Sequence, residues 1–389
     1  MGTGKSQHYD IITTGAQLEH LVGTLQHQSF IGVDLEADSM YHFKEKVCLL
    51  QMAAENLNVI IDPLQIPDLS SLRPLFSNCK IQKVFHGADY DIRSLYRDFK
   101  IEVNGLFDTQ LACRFLGMAE TSLEAVLKRW FHVNLKKKYR RKDWSKRPLP
   151  DEMIAYAAED AHYLLPLAKK LRSKLKQKKR LSWVVEECEH LSKVRPVSDK
   201  EGPLFLNFKG AGKLDPRSLA VLEALLEFRK NMACKKDKPL FKIIRNKALQ
   251  QLAIEKPRRP KDLQRLAVLS PNQIRMYGQN LLTAIQAALR LPEDDLPDYP
   301  RKKVQTVKPD VGKRTRTLKT WRDEQAKKMD IDPALLLTNV QINAIALQQP
   351  LDLSRLHKIN EMKNWQKNIF GNDIIEILAK VEKFSKCGG

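Results

Sequence analysis

The sequence predicts an α/β domain built on a mixed sheet, followed by two small all-α domains. Three observations carry this reading. Strand-like runs alternate with helical periods up to about Ser192, every strong apolar period beyond it is helical, and the helical part repeats itself at an offset of 93 residues. At 389 residues the chain is long enough for two or three separate cores.

Taken in order, "YDIITTGAQLEHLVGTL" reads as a short strand and an amphipathic helix. The runs "FIGVDLE", "VCLLQMA" and "NVIID" read as three strands of a meander joined by short polar connections. "KVFHG" is a buried strand leading into the helix "ADYDIRSLYRDF", and "GLFDTQLACRFLG" repeats that strand-then-helix pattern. One long helix is expected from about Pro150 to Gln177. The Pro-, Gly- and charge-rich "KVRPVSDKEGPLF" marks a linker. Past it, Arg229 matches Arg322, Ala253 matches Ala346, Pro257 matches Pro350 and Leu263 matches Leu356. The blocks "LAIEKPRRPKDLQRL" and "IALQQPLDLSRLHKI" align without a gap. Expected boundaries are 8–192 for the α/β domain, 212–292 and 312–386 for the helical domains, and 193–211 and 293–311 for linkers. Leu222, Leu225, Phe228, Leu318 and Trp321 stand at helical spacing and are expected in the helical cores.

Lys and Arg number 67 against 46 Asp and Glu, a formal charge of +21, which favours a polyanion such as nucleic acid, with an anionic membrane surface as the competing partner. No run of about 18 apolar residues occurs and the N-terminus lacks a signal-peptide layout, so neither membrane spanning nor export is expected and the chain reads as cytoplasmic. The six cysteines are scattered, with no CxxC and no His pair at zinc spacing, so any metal is expected on oxygen ligands. "MGTGKS" imitates the end of a phosphate loop and a myristoylation site. It lacks the first glycine and the preceding strand of the former, and the latter is short enough to arise by chance.

Within "FIGVDLEADS", the strand period of two sends Ile31, Val33 and Leu35 to one face and Gly32, Asp34, Glu36 and Asp38 to the other. Carboxylates that close repel unless they face water or a cation. Asp91 falls in the first turns of a helix after a buried strand, where such folds gather functional groups. Tyr156 and Asp160, four residues apart, share a helix face. Four acids and a phenol suit phosphodiester hydrolysis with two divalent ions, Mg²⁺ or Mn²⁺, about 4 Å apart. Asp34 is expected to bridge both ions, Glu36 and Asp160 to complete one site, Asp91 to support the other, and Tyr156 to orient the attacking water.

The set "VDLEADS", "VFHGADYDI" and "YAAEDAHYLL" resembles the three motifs of the ribonuclease D group of DEDD 3′-to-5′ exonucleases, in the subtype whose third motif carries tyrosine. The histidine subtype wants histidine five residues before the last Asp, where Ala155 stands. The 93-residue repeat resembles two copies of the helicase-and-ribonuclease-D C-terminal (HRDC) domain, a tandem that looks bacterial. Bacterial members commonly read Asp-Thr-Glu in the first motif, whereas this chain reads "DLE", as exosome-associated relatives do. The resemblance implies a ribonuclease H-like exonuclease domain, catalytic positions Asp34, Glu36, Asp91, Tyr156 and Asp160, and a role in maturing the 3′ ends of transfer RNA or other structured RNA.

Taken alone, Asp34 and Glu36 would read as a solvated strand face; the full set reverses that. Asp38, Asp89 and Glu159 are assigned surface or supporting duty, and His86 and His162 are read as packed, hydrogen-bonded residues. The loop Leu135 to Leu149 has eight Lys and Arg against one acid. Its Lys136, Lys137, Lys138, Tyr139, Arg140, Arg141, Trp144 and Arg147 are expected to guide a single strand by phosphate contact and base stacking. The basic run Lys169 to Arg180 reads equally as a second contact or a helix exit. The expected protein is a monomeric, metal-dependent 3′-to-5′ exoribonuclease that releases 5′-mononucleotides and has no membrane partner. Its helical domains bind RNA. A DNA exonuclease and a noncatalytic RNA-binding scaffold are the alternatives.

Overall fold

A computed structural model describes residues 9–135, 138–196, 202–300 and 309–386. A six-stranded sheet forms first: β1 (Asp10–Ile12), β2 (Phe30–Ala37), β3 (Val47–Ala54), β4 (Leu57–Ile61), β5 (Gln82–Phe85) and β6 (Leu106–Asp108), in the spatial order β1-β4-β3-β2-β5-β6. The meander β2-β3-β4 is present, with β3 and β4 antiparallel and Gln51 opposite Ile60. β5 lies parallel to β2, Gly32 opposite Val84, and β6 parallel to β5. Parallel neighbours end on the same side of a sheet, so β2 and β5 deliver their following residues to one edge.

Eight helices accompany the sheet: α1 (Gly15–Leu25), α2 (Leu72–Ser77), α3 (Asp89–Phe99), α4 (Thr109–Phe115), α5 (Leu123–Phe131), α6 (Asp151–His162), α7 (Leu164–Gln177) and α8 (Leu181–Leu191). The single helix expected from Pro150 to Gln177 is therefore two. Pro166 is the reason: it has no N–H for the carbonyl of His162, and its ring crowds that carbonyl, so α6 stops at His162 and α7 restarts after Tyr163.

The helical region contains α9 (Pro216–Lys235), α10 (Leu240–Ile243), α11 (Asn246–Glu255), α12 (Pro260–Leu266) and α13 (Pro271–Leu289), then α14 (Pro309–Met329), α15 (Pro333–Leu336), α16 (Asn339–Gln348), α17 (Leu353–His357) and α18 (Asn364–Lys386). The repeat is visible in its hydrogen bonds. Arg229 donates to the Ile244 carbonyl at 3.1 Å and to Asn246 at 2.6 Å, and Arg322 donates to the Leu337 carbonyl and Asn339, both at 3.2 Å. Each partner is displaced by the same 93 residues. Leu222, Leu225, Leu318 and Trp321 are buried in these cores and Phe228 is half-buried.

The chain divides into two compact units. One holds residues up to 36, 47–196 and those from 304 onward; the other holds 37–46 and 197–303. In the first unit, α8 anchors the second helical segment. Trp183 stacks on Trp365 at 4.7 Å with 15° between planes, and Phe115 meets Trp365 edge-on. Glu186 accepts the backbone N–H groups of Asn364 and Trp365 at the start of α18, where a carboxylate complements the helix dipole. Glu187 accepts the Trp365 indole N–H at 3.0 Å and pairs with Lys363. In the second unit, residues 37–46 lie against the first helical segment: Asp237 accepts the Phe43 N–H at 3.0 Å, and Lys242 sits over the Tyr41 ring at 4.3 Å. Among the described residues no helix is long and apolar enough to cross a membrane.

Trp365→Ala is expected to lower unfolding stability by about 3–5 kcal/mol, because a large buried ring is deleted between Trp183, Phe115 and Phe370. Urea unfolding of both proteins measures this, and a loss below about 1 kcal/mol would show that the stack adds little.

Candidate active site

Three elements bring the five predicted residues together. β2 presents Asp34 and Glu36 on the face opposite Ile31, Val33 and Leu35, which are buried in the core. Asp91 lies in the first turn of α3 and is 8% exposed. Tyr156 and Asp160 share one face of α6, and the Tyr156 hydroxyl donates to the Asp160 carboxylate.

Close packing makes this convergence possible. A Cβ built on Gly32 would lie 2.9 Å from the Ala161 carbonyl and 3.3 Å from Cβ of Leu164, so only glycine lets the end of α6 settle on the carboxylate face of β2. Asn58 of β4 ties α6 down from the other side, donating to the Ala158 carbonyl at 3.0 Å.

Asp108 sets the approach of α3. Its carboxylate accepts the N–H groups of Gly87 and Ala88 at 2.9 Å, and those of Gln110 and Leu111 at 2.8 and 3.2 Å, fixing the β5–α3 turn while capping α4. Gly87 takes φ +79°, a left-handed conformation that favours glycine. Sequence reasoning passed over Asp108; an acid just before the helical run "TQLACRF" is the capping signal that marks it.

The electrostatics record the crowding. Burial, then the charge of Asp91, pushes Asp34 up to about 8 against a backbone hydrogen bond from Leu35. Burial followed by Asp34, Asp160 and Asp91 holds Glu36 well above the usual range, with Arg140 opposing. Asp91 rises to about 7 through burial, then Asp108 and Asp89. Asp160 rises to about 8 through burial, then Asp34 and Glu159, opposed by Tyr156 and Arg140. Burial and the same carboxylates push the Tyr156 phenol upward. By surface area Asp34, Glu36, Tyr156 and Asp160 are only half-buried, so a substrate reaches them although the protein has stripped away much of their water.

All the donors are hard oxygens, and their mutual repulsion is what a divalent cation would relieve, so the residues fit such an ion. Among the described residues no three acidic, His or Cys side chains stand as a ready-made metal cage. The four carboxylates are neighbours through their charges rather than a closed ligand shell.

The basic loop differs from expectation. Trp144 is 1% and Tyr139 8% exposed, so neither offers a face to a base. Both instead back Tyr156, Trp144 stacked at 6.2 Å and Tyr139 edge-on at 5.8 Å, because an aromatic side chain loses more water contact there than at the surface. Arg147 is also turned inward: it grips Asp62 through two 2.7 Å bonds and the carbonyls of Cys48 and Trp144, pinning the loop to the sheet. Lys138 pairs with Glu152, which also accepts the Tyr139 hydroxyl. Arg140 and Arg141 are exposed, and the Arg140 charge reaches Glu36 and Asp160. Lys136 and Lys137 lie outside the described residues.

The flanking residues divide by role. Asp38 is fully buried and accepts the Lys46 N–H at 2.8 Å, whereas Asp89 is exposed and pairs with Arg93. Glu159, half-buried, adds its charge to Asp160. His86 is hydrogen-bonded to Thr109 at 2.9 Å, and His162 meets Tyr163 edge-on. From the run Lys169–Arg180, Lys170 reaches the Trp130 carbonyl, and Arg180 reaches those of Phe115 and Met329, so these charges serve packing.

The mixed sheet with acids at one edge, followed by two helical repeats, is the frame that the family models identify. The 3′-5′ exonuclease family model matches residues 9–176, and the HRDC domain model matches 218–285 and 312–378. Ribonuclease D of Psychromonas ingrahamii is 32% identical over 347 residues, covering 86% of this chain and 89% of that one. The crystal structure of Escherichia coli RNase D, described as an exoribonuclease involved in structured RNA processing, superposes with a TM-score of 0.70 at 25% identity, covering 96% of this chain and 99% of that one. Human exosome complex component 10 is 31% identical over 269 residues, which cover 67% of this chain and 30% of that longer protein. The chain belongs to the ribonuclease D family, and it is a 3′-5′ exoribonuclease.

Raised carboxylate pKa values have a definite consequence for stability. The folded state holds these protons more tightly than the unfolded chain, whose aspartates titrate near pH 4. The stabilisation is therefore complete below about pH 4 and is lost as pH rises through the folded values of about 7 for Asp91 and about 8 for Asp34 and Asp160. Protein stripped of divalent ions should melt at a lower temperature at pH 8.5 than at pH 5.5, and Asp34→Asn should flatten that decline. A variant as steep as the parent would show that Asp34 does not titrate in this range.

Proposed function

We propose that this exoribonuclease uses Asp34, Glu36, Asp91 and Asp160 to hold two divalent ions, Mg²⁺ or Mn²⁺, and removes 5′-mononucleotides from the 3′ end of RNA. The observation that carries the reading is the convergence of four carboxylates on one half-open edge of the sheet, all raised by burial and three of them, Asp34, Glu36 and Asp160, raised further by the charge of others in the set. Such ions, when bound, supply Lewis-acid activation of water and charge neutralisation at the phosphate. The chain's residues do the rest. Asp34, Glu36, Asp91 and Asp160 would hold the ions, with Asp34, whose charge acts on Glu36, Asp160 and Tyr156, as the shared ligand. Tyr156, wedged between Trp144 and Tyr139, keeps its proton and offers a fixed hydroxyl to orient the attacking water. Arg140, exposed beside the acids, meets the phosphate backbone of the incoming strand.

The substrate proposed is transfer RNA or other structured RNA with a free 3′ end. Support comes from the full-length likeness to the Escherichia coli enzyme, described as acting in structured RNA processing, and from the paired HRDC domains.

Labelled single-stranded RNA and DNA, incubated with Mg²⁺ or Mn²⁺, test the reading. Asp34→Asn should abolish hydrolysis while RNA binding survives, and Tyr156→Phe should slow turnover by about 10²- to 10⁴-fold. Parental turnover of Asp34→Asn would sink the assignment, and a Phe variant within about twofold of the parent would make Tyr156 structural. Faster loss of DNA than of RNA would redirect the substrate class.

A further inference from the structure

Gln51 of β3 is the one fully buried side chain of the sheet, among the described residues, whose amide nitrogen and oxygen both lack a hydrogen-bond partner. Burial of an unpaired amide works against folding, so its presence calls for a reason. Nothing in the packing supplies one: the residue opposite it on β4 is Ile60, which belongs to the apolar cluster of Leu49, Trp144, Ala157 and Ala158.

The position of Gln51 supplies one. β2 and β3 are neighbours in the sheet, and the Asp38 N–H donates to the Lys46 carbonyl where the chain turns between them, so the strands run in opposite directions. A Cβ on Gly32 would lie 3.7 Å from Cβ of Ala53, which puts those two residues side by side on the face that meets α6. One period forward along β2 is Asp34, and one period back along β3 is Gln51. Cross-strand neighbours on one face stand about 5 Å apart at Cβ. Gln51 is thus the uncharged polar side chain beside the central carboxylate of the site.

We propose that Gln51 is a positioning residue for Asp34, its amide nitrogen placed to donate to the Asp34 carboxylate that would hold a divalent ion. The inference rests on the reading of Asp34 as an ion ligand. A ligand carboxylate must hold one orientation to serve two ions, and partners behind such ligands typically govern affinity by about 10- to 100-fold. Glutamine suits the place because it donates without adding a cation that would compete with the ions, or an anion that would deepen the repulsion. No other hydrogen bond claims the amide among the described residues.

The test is Mn²⁺ binding, followed by electron paramagnetic resonance, to full-length parent, Gln51→Met and Asp34→Asn proteins, with melting temperatures taken without ions. Gln51→Met keeps the volume and removes the amide. It should melt at or above the parental temperature while binding Mn²⁺ about tenfold more weakly, and hydrolysis should need correspondingly more Mn²⁺ to saturate. Gln51→Leu should do the same. Mn²⁺ affinity within about twofold of the parent overturns the proposal, as does unfolding of both variants, because an amide that the fold itself requires is structural. Asp34→Asn separates the levels. If it binds Mn²⁺ like the parent, the ligand reading itself fails; if it loses Mn²⁺ while Gln51→Met keeps it, only the role of Gln51 fails.

Discussion

Four carboxylates crowded onto one edge of a sheet repel one another, and much of the first unit is arranged to hold them there. Gly32 gives up its side chain so that Ala161 and Leu164 rest directly on β2. Asp108 spends its carboxylate on four backbone N–H groups to fix the turn before Asp91. Asn58 holds α6 by a carbonyl, and two aromatic rings brace Tyr156. Each device is uncharged or already satisfied, so none neutralises the acids. The repulsion is countered only by Arg140 at Glu36 and Asp160 and by the protons that the raised carboxylates hold, and a divalent cation would relieve it directly.

The placement of positive charge follows the same economy. A formal charge of +21 suggests a molecule covered in phosphate-binding groups, yet several arginines are structural. Arg147 clamps Asp62, Arg180 holds two backbone carbonyls, and Arg229 and Arg322 brace equivalent turns of the two repeats. Guanidinium groups suit this because five fixed donors satisfy several carbonyls at once. The charge that faces RNA is therefore smaller than the formal total.

The two HRDC domains, alike in sequence, are held in different ways. The second is fixed in the first unit through Trp183 and Trp365 and the paired glutamates of α8, with its core continuous with that of the sheet domain. The first forms its own core, to which Phe43 from the segment 37–46 adds. The contacts that make this difference lie outside the repeated positions, which serve the interior of each domain.

Local periodicity determined a good deal from the sequence alone. The period of two in β2 separated Asp34 and Glu36 from the core residues, the spacing of four paired Tyr156 with Asp160, and the offset of 93 located equivalent arginines that make equivalent bonds. These features follow from backbone geometry over a few residues or from repetition, and both are written along the chain. Pro166 also carried the break between α6 and α7 along the chain, yet the reading of one helix from Pro150 to Gln177 passed over it. Only the tertiary structure decided which side chains of the loop 138–149 turn inward. A run with six cations has no apolar period to reveal that Trp144 and Tyr139 brace Tyr156, and the partner of Arg147 is Asp62, 85 residues away. The burial of Gln51 with its amide unpaired was likewise invisible, because it depends on how strands pair and on what covers them, and such pairing is set by packing between distant segments rather than by either segment's own composition.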